Sequence, residues 1–203
     1  MATTLRPFRQ YHENDVINLF AFDGTIDASN HVDAGSLVKI KATDTGTTPD
    51  TSYGWKHDQE FDLEDLTPYT NTVSDRWHVF AKVQLAGQGD IPIGMLLYGI
   101  REYDENGEKL IWHPRKYHEM QVALKGHAVP ILTRGLVMLR GVDESQSGSP
   151  LIADSMVAAY AGTSGTVTTD PQTSGGVATN HKVGYFLGGK AGDNNDILMK
   201  LEL

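Results

Sequence analysis

The feature that most constrains this chain is a period of two. Ile197, Met199, Leu201 and Leu203 alternate with Leu198, Lys200 and Glu202. Met120, Val122 and Leu124 alternate with Glu119, Gln121 and Lys125. Between residues 78 and 85, Val79, Ala81, Val83 and Leu85 share one parity, and Phe80 is the only large apolar residue on the other. Successive side chains of a strand point to opposite faces, so this spacing sets one face on a core and the other toward solvent or a neighbour. Further strands are expected at 36–41, 93–102, 109–112, 128–132, 136–140, 166–169 and 183–187. The connections are turn-like: Asn106-Gly107 within residues 103–108, Gly87-Gln88-Gly89-Asp90, Gly192-Asp193-Asn194-Asn195, and longer polar loops at 141–150 and 169–180. About ten short strands with Gly-rich turns predict an all-β fold, a small antiparallel β-barrel, β-tulip or sandwich. Strands do not alternate with long helices, which argues against a Rossmann-type sheet. One short helix is expected over residues 13–22, with Asn14-Asp15 as its cap.

Charge divides the chain. Residues 44–75 hold eight acids (Asp44, Asp50, Asp58, Glu60, Asp62, Glu64, Asp65 and Asp75) against the single base Lys56, a net −7 out of −9 for all 203 residues. The stretch opens with the turn-rich TDTGTTPDTSYG and reads as a solvated acidic loop or small lobe. The alternation of Asp58, Glu60, Asp62 and Glu64 raises a cation site, but Leu63 stands where an EF-hand requires Gly. The expected organisation is an N-terminal arm over 1–30, an acidic loop-rich segment over 31–75 and a β-barrel core over 76–203. The acidic balance excludes sequence-independent nucleic-acid binding, which needs a basic footprint. No stretch approaches the roughly 18–20 apolar residues of a membrane helix, and MATTLRPFRQYHEND lacks the apolar run of a secretory signal. With no Cys there is no disulfide framework, thiol nucleophile or Cys-built zinc site.

Chemical motifs are weak. Residues 184–191, GYFLGGKA, nearly match a P-loop, but Ala191 replaces the hydroxyl residue that holds magnesium, and the residues after it are strand-like. No G-x-S-x-G elbow is present; Ser147 and Ser164 lie in Gly-rich loops. Eight histidines form no H-E-x-x-H pair. His113, His118 and His127 fall within fifteen residues, and alternation places His118 on the polar face of a strand. Trp55, Trp77 and Trp112 are candidates for a carbohydrate-binding platform or for the core. A hydrolase with a loop-borne His/Asp site has no motif behind it. Two segments echo each other: Ile93-Gly94-Met95-Leu96-Leu97-Tyr98-Gly99 and Val183-Gly184-Tyr185-Phe186-Leu187-Gly188-Gly189. A Gly within a strand is expected where another backbone crosses closely.

Residues 134–203 carry RGLVMLRG, then GSPLIADSMVAAYAGTSGTVTTD, HKVGYFLGG and DNNDILMKLEL. This succession resembles the capsid decoration (cement) proteins of tailed bacteriophages, the small β-barrel or β-tulip head stabilisers of the lambda type. The opening RPFRQYHENDVINLFAF is similar to the start of virion structural proteins of marine tailed phages. The resemblance implies a non-enzymatic virion protein on the outer surface of the capsid, with the major capsid protein and its own copies, as a homotrimer, for partners. It implies no cofactor, no metal and no catalytic residue. It also implies an extended arm whose Arg6, Phe8, Arg9 and Tyr11 contact the capsid, an arm whose removal leaves the domain folded. The alternatives are another virion part (head-fibre base, tail or baseplate subunit) and a carbohydrate-binding β-sandwich.

Overall fold

A computed structural model describes residues 3–23, 26, 30–41, 55–56, 78–79, 82–124, 127–142, 156–174, 177–188 and 196–203. The chain is all-β. In chain order its strands are β1 (Thr4–Gln10), β2 (Val16–Ile17), β3 (Ala21–Phe22), β4 (Leu37–Ile40), β5 (Trp55–Lys56), β6 (His78–Val79), β7 (Lys82–Leu85), β8 (Gly94–Leu96) and β9 (Gly99–Ile100). They continue with β10 (Val122–Ala123), β11 (Ile131–Leu132), β12 (Arg134–Arg140), β13 (Val157–Ala161), β14 (Val167–Thr168), β15 (Thr173–Ser174), β16 (Val177–Ala178), β17 (Lys182–Phe186) and β18 (Ile197–Glu202). Among the described residues one α-helix, α1 (Pro114–Glu119), joins them.

Two six-stranded sheets carry the body. Sheet I has the order β1-β12-β18-β17-β13-β14 and sheet II the order β2-β11-β8-β4-β7-β3. Within these two sheets the pairings are antiparallel except β3 with β7 in sheet II; the separate pair β9–β10 is parallel as well. Between the sheets lies a core in which Val137, Leu139, Phe186, Ile197, Met199 and Leu201 of sheet I meet Leu37, Met95 and Leu132 of sheet II. Sheet II is apolar on both faces. Val38, Leu96 and Ile131, each next in sequence to a residue of the first core, point the other way and pack with Phe22, Val32, Ile100 and Val129. This explains why β8 and β11 read as unbroken apolar runs and β4 is broken only by Lys39, whereas β18 alternates.

Sheet I curls until its edges nearly meet. Thr3, just before β1, is buried, and its Oγ1 accepts the Val167 N–H of β14 at 3.1 Å. The segment before β4 and the residue after β7 fill the remaining gap. Ala34 O accepts from Leu5 N at 2.7 Å, and Ala86 O accepts from Gly165 N at 2.6 Å. Replacing Thr3 by Val keeps the shape but leaves a buried N–H unpaired, so Thr3→Val is expected to cost about 1–3 kcal/mol. At this chain length that lowers Tm by roughly 2–4 °C per kcal/mol, read by a thermal melt.

The structure corrects several sequence expectations. Thr4–Gln10 is not a free arm but the edge strand of sheet I, paired with β12 from Thr4↔Arg140 to Gln10↔Leu136. Pro7, which has no N–H to give a ladder, fits only such an edge. Removing the N-terminus therefore strips a strand from the body rather than an appendage. Residues 37–40 sit in the middle of sheet II rather than in a separate acidic segment. The helix expected over 13–22 is a single 3-10 turn, Glu13–Asp15, capped by His12 Nδ1, after which Val16–Ile17 and Ala21–Phe22 join sheet II. The β-branched Val16 and Ile17 find partners in Leu132 and Ile131, and this pairing overrides the helical spacing. Residues 109–112 form a 3-10 turn, Leu110–Trp112, and not a strand. The strand expected over 119–125 begins only at Val122, because Pro114 opens α1 and its Arg115–Glu119 pair lies at i,i+4 spacing. His118 is thus on a helix. The expectation of a solvated acidic loop or cation site at 44–75 lies outside the described residues. Within that stretch only the Trp55–Lys56 backbone is described, paired with His78–Val79.

Candidate functional site

The N-terminal edge strand places the four residues singled out from the sequence on opposite faces. Arg6 and Phe8 share the outer face of sheet I. Phe8 is 47% exposed, and Tyr11, just past the strand, is 41% exposed. Arg6 Nε stands 3.5 Å from Asp196 Oδ2. Arg140 grips the same carboxylate as a fork, Nε to Oδ1 at 2.8 Å and Nη2 to Oδ2 at 3.3 Å. The Arg140 hydrogen bonds hold the Asp196 carboxyl below its usual range, against the opposing effect of burial. Arg6 thus belongs to an arginine–carboxylate triad that ties β1 to the segment leading into β18. Tyr11 lies over Gly135 of β12. A Cβ at Gly135 would stand 2.8 Å from Tyr11 Cβ, so glycine is what lets the end of β1 lie so close.

Arg9 points the other way. Its Nη1 donates to Leu97 O at 3.1 Å and its Nη2 meets Gln121 Oε1 at 3.5 Å. Across a register irregularity in β1, Leu5 pairs with Leu139 and Arg9 with Val137, both core residues of β12, so Arg9 turns to the side on which Leu5 packs. The four residues therefore form an exposed aromatic pair, one guanidinium in a surface triad and one guanidinium turned inward.

The other candidates are dispersed. His12 caps the first 3-10 turn, His31 Nε2 stands 3.5 Å from Asp33 Oδ1, and His113 Nε2 stands 3.5 Å from Glu108 Oε2. His118 stacks on Tyr117, ring centres 4.4 Å apart. Among the described residues no three His, Asp or Glu gather closely enough to hold a metal ion. Gly184 of the P-loop-like stretch lies inside β17, while residues 189–191 are outside the described residues. Ser164 sits exposed in the 3-10 turn Thr163–Gly165; Ser147 is outside the described residues. Trp112 is 75% exposed; Trp77, like the side chain of Trp55, is outside the described residues. Among the described residues no helix is long and apolar enough to cross a membrane.

One polar cluster has no counterpart among the sequence motifs. Asp104 is buried, and its Oδ1 accepts the N–H groups of Asn106 and Glu108, both at 2.8 Å. Its Oδ2 receives Lys116 Nζ of α1. The turn that Asn106-Gly107 announced is thereby locked to the helix, with Gly107 at φ 79°. The Lys116 ammonium, followed by the Glu108 N–H, brings the Asp104 carboxyl from 3.8 to about 2. A carboxyl lowered on folding stabilises the fold fully above its unfolded value, near 3.8, and that contribution fades as pH falls toward 2. The expected result is that Asp104→Asn lowers Tm at pH 6, and that the gap from the parent protein closes between pH 4 and pH 2. A gap independent of pH would contradict it.

No family model matches this chain, and no curated protein or solved structure proves similar to it.

Proposed function

We propose that this protein is a non-enzymatic structural component of a tailed-phage virion, a decoration protein on the outer surface of the capsid. One observation carries the reading. The two stretches whose residues resemble such proteins, the opening segment and residues 134–203, are separate in sequence but meet in one sheet. Residues 134–203 supply β12, β18, β17, β13 and β14, and the opening segment adds β1 as the sixth strand. The strand at that edge carries Phe8, followed by Tyr11, both exposed, so aromatic contact area lies at the surface of this sheet. Many identical copies on a shell make weak single contacts sufficient. The major capsid protein is the proposed partner, and a homotrimer at threefold positions is the proposed assembly.

The test is copy number in purified particles, by quantitative mass spectrometry. A ratio to the major capsid protein near one, or a fixed simple fraction, supports decoration of the shell. A handful of copies moves the chain to the tail or a unique vertex, and absence from particles overturns the virion role. Because β1 belongs to the body, the contact is probed by Phe8→Ser with Tyr11→Ser rather than by deletion. The doubly substituted protein should melt like the parent and lose binding to undecorated capsids.

A further inference from the structure

The inward guanidinium of Arg9 opens onto a cavity of about 330 Å³ between β1, β9 and the end of α1. Its wall carries a second guanidinium, that of Arg101, and one carboxylate, that of Asp33. Two cations against one anion leave the cavity net positive. Neither guanidinium is saturated. Of the five N–H groups an arginine offers, Arg9 uses one on Leu97 O and one, at a long 3.5 Å, on Gln121 Oε1. Its Nε is buried with no partner. Arg101 Nη2 approaches Asp33 Oδ1 only to 3.7 Å, beyond hydrogen-bond distance. Asp33 is shared besides with His31. A buried guanidinium N–H without an acceptor is costly, and such an orphan calls for an explanation.

Gln121 adds a second oddity. It comes just after the last turn of α1 at φ 51°, the left-handed position that ends helices and favours Gly or Asn. A glutamine there gains nothing locally, yet its carboxamide oxygen is what meets Arg9 on the cavity wall.

We propose that this cavity binds a carboxylate between Arg9 and Arg101. Planar guanidinium forks match the two oxygens of a carboxylate, and a carboxylate would supply the acceptor that Arg9 Nε lacks. The cavity lies at the lower end of the size range of small-molecule sites, which fits a short acid or a single acidic side chain. Asp33 is the internal competitor for Arg101. The carboxylate site stands independently of the virion role.

The experiment is an NMR titration of the full chain with two probes, glutarate and the peptide acetyl-Gly-Glu-Gly-amide, with sulfate at matched ionic strength as the control. Saturable shifts at the amides of residues 97–101 and 121 are expected with at least one probe. Tighter binding of glutarate assigns a free acid, and tighter binding of the peptide assigns a partner's side chain. Arg101→Gln should weaken binding about tenfold or more, the usual effect of losing a hydrogen bond to a charged group. Asp33→Asn should strengthen it several-fold, because it removes the competing carboxylate; a purely structural role for these residues predicts no such gain. Shifts that sulfate reproduces, or that neither substitution changes, overturn the proposal, as does the absence of saturable shifts with both probes.

Discussion

A chain ending at Asp196 is expected not to fold. The seven residues removed, 197–203, contain β18, which lies third in sheet I between β12 and β17. Its loss unpairs β12 from Arg134 to Leu139 and β17 from Gly184 to Phe186. It also empties the centre of the core of Ile197, Met199 and Leu201, which are 1%, 0% and 0% exposed. Burying a side chain of this size contributes about 1.5–3 kcal/mol. Three of them together contribute roughly 5–9 kcal/mol, comparable to the whole stability of an ordinary domain, about 5–15 kcal/mol. The unpaired strand edges add further loss and expose a template for aggregation. The expected observation is an insoluble or non-cooperatively melting product. A soluble truncation with a sharp thermal transition would show that sheet I survives without its central strand.

Gly184→Val should be nearly as severe. A Cβ at Gly184 would stand 2.0 Å from Lys200 O, 3.1 Å from Lys200 C and 3.2 Å from Leu201 Cα. Every one of these atoms is backbone of β18, so no side chain can rotate away. The neighbouring strand cannot recede either, since Met199 and Leu201 are fully buried against sheet II. Overpacking in a rigid core typically costs 1–3 kcal/mol, and a clash with fixed backbone lies at the far end of that scale, about 4 kcal/mol or more for valine. Gly188→Ala is the control: the nearest atom there is Leu198 Cβ at 3.9 Å, and its Tm should barely move. Urea melts of both proteins measure the difference. An unchanged midpoint for Gly184→Val would contradict the close packing of β17 on β18.

Part of this packing was legible in the sequence. The paired Ile93-Gly94 and Val183-Gly184 segments pointed to glycines that admit a crossing backbone, and both do so. Gly94 faces Leu132 O, with a Cβ-to-oxygen distance of 2.6 Å, as Gly184 faces Lys200 O. The alternation also holds over residues 197–202, with Ile197, Met199 and Leu201 buried and Glu202 exposed, but Leu203, expected on the core side, is exposed. The same period misled at residues 119–125. There Met120, Val122 and Leu124 do gather with Leu110 in a small apolar cluster, but a helix end and a left-handed Gln121 deliver them to it. Alternation reports that residues share a side; it does not report which backbone brings them there. Of the four candidate contact residues, Phe8 and Tyr11 lie exposed, whereas Arg9 turns inward. Reading the segment as a free arm hid its pairing with β12, which turns Arg9 to the side of Leu5. Asp104 escaped notice because its partner Lys116 comes from α1, a helix that the sequence pattern did not predict.

Local periodicity and turn chemistry thus determined that the chain is all-β, where most strands lie and which glycines they need. These depend on neighbours within a few residues, and sequence records them directly. Tertiary structure alone decided that the N-terminus is the sixth strand of a sheet otherwise built from residues 134–203. It alone decided that sheet II is buried on both faces, and that Arg9 and Arg101 line one cavity. Those outcomes turn on how a curled sheet brings together residues about ninety positions or more apart, a matter of long-range packing and hydrogen-bond satisfaction that no short window of sequence contains.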